Sequence, residues 1–87
     1  MTKSFDPANI EFLFTELHTG LMFANLAISA LPEETDKRRH ETEQARKAHD
    51  SFLKYRERVA LSQEDTLKLD AELEKLTTAL RSLGESV

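Results

Sequence analysis

Residues 12–31 read FLFTELHTGLMFANLAISAL, the most apolar stretch of this 87-residue chain. A stretch of this length suits either a membrane span or a buried helix. At 100° per residue, one face is continuously apolar; it carries Ile10, Leu13, Phe14, Leu17, Leu21, Ala24, Ile28 and Leu31. A single polar stripe carries Glu11, His18, Asn25 and Ser29. A lipid-facing helix has no reason to align its polar groups, and no basic residue flanks either end closely, so we expect a buried helix and no membrane partner.

The flanking residues set the limits of this first helix. Asp6 is a good N-cap, Pro7 suits the first helical position, and Phe5 is placed to begin a hydrophobic staple. Pro32 ends the helix, because proline pushes the residue before it out of the helical region. The first helix is therefore predicted over residues 7–31.

Two more helices are predicted, over residues 33–60 and 63–83. The second has a narrow apolar stripe of Ala45, Ala48, Phe52, Tyr55 and Val59. Its first part, EETDKRRHETEQ, has no apolar residue, so residues 33–38 form either the start of a long helix, which we favour, or an ordered loop.

The third helix has clear end signals and a regular seam. Ser62 is its N-cap, Gly84 its C-terminal cap, and its leucines recur at alternating spacings of four and three: Leu69, Leu73, Leu76, Leu80 and Leu83. Short connections force neighbouring helices to lie antiparallel. The sequence predicts an all-α, antiparallel three-helix bundle that forms one domain over residues 1–87.

Composition narrows the functional classes. The net charge of −4 argues against nucleic acid as a partner, since phosphate neutralisation needs excess Lys and Arg. The one basic run, KRRH, is flanked by acids, although Arg38 and Arg39 offer a docking point for a small acidic or phosphorylated partner. The chain has no cysteine and Met1–Asp6 does not resemble a signal peptide, so we expect a cytoplasmic protein.

No pattern of residues indicates catalysis or a cofactor. The sequence lacks the phosphate-binding, nucleophile-elbow and cysteine motifs, and three short helices are not expected to enclose a cleft of drug-like size. His40 shares a stripe with Asp36 and Glu43, but adjacent cations favour ion pairs over a metal there. We expect a protein that is not an enzyme, with no cofactor, and keep a small-ligand or metal-binding bundle as an alternative.

A second apolar strip on the first helix raises the question of partners. It consists of Phe12, Phe23, Leu26 and Ala30, away from the main apolar face. Either the first helix is central and this strip touches a neighbouring helix, or the strip is exposed and binds a protein partner or a second copy. The predicted partner-binding residues are Phe12, Phe23, Leu26, Arg38 and Arg39. A non-enzymatic interaction module is favoured, with a self-associating structural homo-oligomer as the alternative.

Residues 45–85 read ARKAHDSFLKYRERVALSQEDTLKLDAELEKLTTALRSLGE. This segment, with ARKAHD followed by a capped helix that ends in LGE, resembles a family of small uncharacterised bacterial three-helix proteins. The antiparallel layout also resembles the microtubule interacting and trafficking (MIT) bundle and one and a half tetratricopeptide repeats. That resemblance implies an adaptor that holds a partner helix in an interhelical groove. It assigns no functional residues, and the chain has no tryptophan and no second 34-residue copy of the tetratricopeptide pattern.

Overall fold

The computed structural model describes residues 7–87, with side chains from Asn9 onward. Three helices follow one another: α1 (Pro7–Ser29), α2 (Thr35–Arg56) and α3 (Gln63–Ser82). They pack against each other as an all-α three-helix bundle, which confirms the predicted fold class. Pro7 is the first helical residue, as predicted, whereas the proposed cap Asp6 and staple residue Phe5 lie outside the described residues.

The turn between α1 and α2 is longer than the sequence predicted. α1 ends at Ser29 and not at residue 31, and α2 begins at Thr35 and not at residue 33. The Leu31 N–H donates to Oε1 of Glu34, and the Glu34 N–H donates to the Leu31 carbonyl, both at 2.9 Å. These two bonds close a turn that removes residues from both helices. Within the disputed segment 33–38, the helix is therefore present from Thr35.

The predicted end of α2 near residue 60 was also wrong. α2 stops at Arg56, and a tight turn follows in which the Val59 N–H donates to the Arg56 carbonyl at 3.2 Å. This turn directs Val59 into the core, where it is buried. Residues 57–62 form the segment that reverses the chain, and α2 is therefore shorter than predicted.

The two caps predicted for α3 are present. The Ser62 hydroxyl accepts from the Asp65 N–H at 3.1 Å. At the other end, α3 stops at Ser82, one residue before the predicted limit, and Gly84 adopts a φ of 90°. The Glu85 N–H then donates to the Leu80 carbonyl at 3.0 Å, as in a Schellman motif. A left-handed glycine thus satisfies the last carbonyls of the helix.

α1 is the central helix, as one reading of its broad apolar surface predicted. It packs against both neighbours more extensively than those neighbours pack against each other. Gly20 allows the close approach, because a Cβ there would lie 2.9 Å from Leu76 Cδ2 and 3.1 Å from Ala48 Cβ. Large buried side chains fill the rest of the core: Leu13, Leu17, Phe52, Leu69, Leu76 and Leu80.

The neighbouring helices run antiparallel. Gly20 lies at Ala48, and the ring of Phe12 lies at the ring of Tyr55. As the number rises along α1 it therefore falls along α2. Arg56 of α2 pairs with Asp70 of α3 at 2.6 Å, and Arg46 pairs with Glu85 beyond the end of α3 at 3.4 Å, so α2 and α3 are also antiparallel.

Candidate interaction surface

An uncharged row of side chains runs along the solvent side of α1. Successive members are three or four residues apart, the spacing of a coiled-coil seam; the row, here called the outer seam, is Phe12, Thr15, Thr19, Met22, Leu26 and Ser29. The three large members remain 41%, 51% and 43% exposed in the order Phe12, Met22 and Leu26. Thr19 is partly buried, and both Thr15 and Ser29 are exposed. The face is uncharged and combines three large apolar side chains with three hydroxyl side chains, and none of the large ones belongs to the core of the chain.

The structure divides the predicted strip of Phe12, Phe23 and Leu26. Phe12 and Leu26 belong to the outer seam, whereas Phe23 is partly buried and packs against the core. Phe12 also meets Tyr55 of α2 in an edge-to-face contact, with ring centroids 5.5 Å apart. The two readings of the strip therefore each apply to part of it. Met22 was not among the predicted partner-binding residues; the spacing of three and four residues from Phe12 to Ser29 was the sequence signal that could have identified it.

Arg38 and Arg39 lie elsewhere. They line a pocket between the start of α2 and the end of α3, together with Leu83 and Glu85. Arg39 forms an exposed ion pair with Asp36 at 2.8 Å. None of the residues lining this pocket belongs to the outer seam. The five residues predicted to bind a partner therefore do not form one surface.

Two polar residues of α2 are buried, although the sequence did not predict burial for either. Glu41 and His49 are each 7% exposed. Glu41 lies four residues before Ala45, so it continues the apolar stripe of α2, and that position was the available signal. His49 is three residues before Phe52 on the same side of the helix. The buried side of α2 thus contains two ionisable side chains, whereas the buried residues of α1 are apolar.

His49 has a polar partner at the surface. Its Nδ1 lies 2.9 Å from Oδ1 of Asp50, and Nε of Arg46 donates to the same carboxylate at 3.2 Å. The hydrogen bond from His49 and the nearby Arg46 hold the pKa of Asp50 below its ordinary value, against a smaller opposing effect of burial. Arg46 also reaches Glu85 at 3.4 Å, which ties α2 to the end of α3. These ion pairs link α2 to the residues that follow α3, so we assign this cluster a structural role.

Glu41 has no such partner among the described residues. Its Oε2 is buried and receives no hydrogen bond there. The register set by Gly20 opposite Ala48 places Glu41 at the level of Leu26 and Ala27 of α1. The Glu41 carboxylate therefore lies at the same height along the bundle as Leu26, but it is buried whereas the Leu26 side chain is exposed.

A second surface lies between α1 and α3. It is a groove of about 600 Å³, wide open to solvent, with Leu21, Ile28 and Ala71 among its apolar residues and Glu74 and Lys75 among its polar ones. Its volume falls within the range of small-molecule sites, but the groove is open along its length and the helices do not enclose it. The groove is a broad channel along two helices, with charged groups among the residues that line it.

Two of the three histidines, His18 and His49, each lie beside a single acid, and among the described residues neither lies within a larger cluster of possible metal ligands. Nε2 of His18 lies 3.9 Å from Oε2 of Glu72 across α1 and α3, and His40 is exposed. In the part of the chain from residue 7 to residue 87, no three His, Asp or Glu side chains come close enough to hold a metal ion. Among the same residues, no helix has the length and apolar character required to cross a bilayer.

Comparison with protein-family models, with curated proteins and with solved structures gave no match to this chain. The resemblance to small bacterial three-helix proteins and to MIT or tetratricopeptide layouts thus stays a prediction.

Proposed function

We propose that this protein is a small, non-enzymatic interaction module that binds a protein partner through the outer seam of α1. One observation supports this above the others: Phe12, Met22 and Leu26 are exposed on one helix face that has no charged side chain. Large apolar side chains that are aligned and uncovered mark protein-binding surfaces. The spacing of three and four residues suits a partner helix packed along α1.

The remaining predicted residues have secondary roles in this proposal. Phe23 packs against the core, so its role in this proposal is to stabilise the helix that carries the outer seam. Arg38 and Arg39 form a separate polar surface, available to acidic groups of the same partner only if that partner extends around α2. We place the protein in the cytoplasm, since a chain without cysteine needs no oxidising compartment.

A photo-crosslinking experiment in the producing cell tests the proposal. A photoreactive amino acid at Met22 is expected to give a discrete cross-linked product. Leu26→Lys should abolish that product, because it introduces a charge into the seam. Leu53→Lys is the matched control, since Leu53 and Leu26 are both 43% exposed and both lie three residues before the end of their helix.

Two results would refute the proposal. One is the absence of any discrete product from position 22. The other is equal loss of the product in Leu26→Lys and Leu53→Lys, because the seam would then have no special role. The mass of the product identifies the class of partner: twice the mass of the chain indicates a second copy, and any other mass indicates a different protein.

A further inference from the structure

The order of large and small residues along the outer seam identifies its occupant. Reading from Phe12 to Ser29, the residues are large, small, small, large, large and small. Read backwards, the order is small, large, large, small, small and large, so each position of the forward order meets a position of the opposite size. If a second α1 lies antiparallel along the seam, each large side chain faces a small one: Phe12 faces Ser29, Met22 faces Thr19, and Leu26 faces Thr15.

We infer that the outer seam binds a second copy of this chain, α1 against α1 in antiparallel orientation, and so makes a symmetric dimer. The inference rests on the proposed function, because it names the partner of the same surface. A two-fold axis requires a surface that is complementary to itself, and alternating large and small residues let two packed layers interdigitate. The axis passes between Thr19 and Met22.

Parallel pairing fits less well. It would place Phe12 on Phe12, Met22 on Met22 and Leu26 on Leu26, while the hydroxyl residues between them would face each other across gaps. Such gaps lose packing contacts that the antiparallel arrangement makes. The same sequence order thus selects both the occupant and its direction.

Charge on the flanks of the seam is compatible with this pairing. α1 has only two acidic residues, Glu11 and Glu16. In an antiparallel pair, Glu16 lies beside Phe23 of the second copy, and His18 lies beside Asn25 of the second copy. Glu11 lies near the end of the pair. No two carboxylates of α1 face each other, so the net charge of −4 on each chain is not concentrated at the contact.

Sedimentation equilibrium of the wild-type chain, Leu26→Lys and Leu53→Lys tests the dimer. The wild-type chain is expected to associate reversibly to twice its 10.0 kDa mass. Leu26→Lys enters the symmetric contact twice, and we expect it to raise the dissociation constant at least ~100-fold. Leu53→Lys should associate as the wild type does. Circular dichroism verifies that all three chains remain folded.

Disulfide trapping tests the direction of pairing, and the absence of native cysteine makes every engineered thiol unique. Thr15→Cys and Leu26→Cys chains, when mixed and oxidised, are expected to form a mixed disulfide. Neither chain alone should cross-link efficiently, because two copies of one position lie ~16 Å apart in the antiparallel pair. That separation exceeds the ~7 Å limit for a disulfide.

The possible outcomes are distinct. A folded wild-type chain that stays monomeric up to ~1 mM overturns the dimer, while photo-crosslinking at Met22 to another protein would leave the proposed function intact. A dimer that is equally sensitive to both lysine variants shows that the contact lies elsewhere. Cross-linking of Thr15→Cys with itself, in preference to the mixture, overturns the antiparallel direction.

Discussion

α1 and α2 depart from the usual inside-apolar pattern in opposite directions. α1 exposes Phe12, Met22 and Leu26 on its outer side, whereas α2 buries Glu41 and His49 on its inner side. Other charged residues of α2, such as Arg39 and Asp36, form ion pairs at the surface. Burial of an ionisable side chain is costly, and exposure of apolar surface favours association. α1 therefore carries large apolar side chains that the other two helices leave exposed.

The largest expected effect separates the two faces of α1. Leu17 on the inner face is 1% exposed and Met22 on the outer seam is 51% exposed. Leu17→Ala should lower the free energy of unfolding by about 2–5 kcal/mol, because it leaves a cavity. Met22→Ala in dilute, monomeric protein should change it by less than about 0.5 kcal/mol. Urea denaturation monitored by circular dichroism measures both; similar losses would mean that the outer seam is part of the core.

Phe23 lies between the inner face of α1 and the outer seam, so substitutions there test where the core ends. It is partly buried and packs against the core. Phe23→Asp is expected to cost about 2–3 kcal/mol of folding free energy, because it places a charge against apolar side chains. Phe23→Leu, measured in parallel, should cost under about 1.5 kcal/mol. A Phe23→Asp chain with full stability would assign Phe23 to the exposed surface instead.

A substitution at Glu41 tests the effect of the buried polar side chain on α2. Its buried Oε2 has no hydrogen-bond partner in the described part of the chain. Glu41→Met keeps the aliphatic stem and removes the unpaired oxygen, so we expect a gain of about 1 kcal/mol. For a domain of this size, that gain raises Tm by about 4–8 °C. Calorimetry gives the value, and Glu43→Met at an exposed position serves as the control. A lower Tm for Glu41→Met would show that the carboxylate makes a stabilising contact.

The helices themselves were predictable because their signals are local. Ser62 and Gly84 each set a helix end through a bond or a backbone angle within a few residues. The end of α2 was not predictable in this way, because it depends on where the chain must turn for Val59 to enter the core. Local capping chemistry is read from the sequence, whereas the length of a reversing segment depends on tertiary packing.

The interaction surface was predictable only in part. Phe12 and Leu26 were identified as candidates from their position off the main apolar face. The separation of Phe23 from them depends on tertiary packing, because Phe23 packs against the buried core cluster and Phe12 and Leu26 do not. Arg38 and Arg39 were grouped with the strip by their chemistry, and the structure places them beside α3. Residues on different helices cannot be assigned to one surface without that geometry.

The most direct test of whether the outer seam is covered in the dimer uses the Met22 methyl group as a reporter. The chain has two methionines, Met1 and Met22, so methyl-labelled methionine gives two resonances that are easily assigned. A soluble gadolinium chelate enhances the relaxation of methyls in contact with solvent. We expect strong enhancement of the Met22 methyl in dilute protein and a steady decrease as the concentration rises, with no such decrease in Leu26→Lys. Enhancement of the Met22 methyl that is strong and constant at all concentrations would contradict the account.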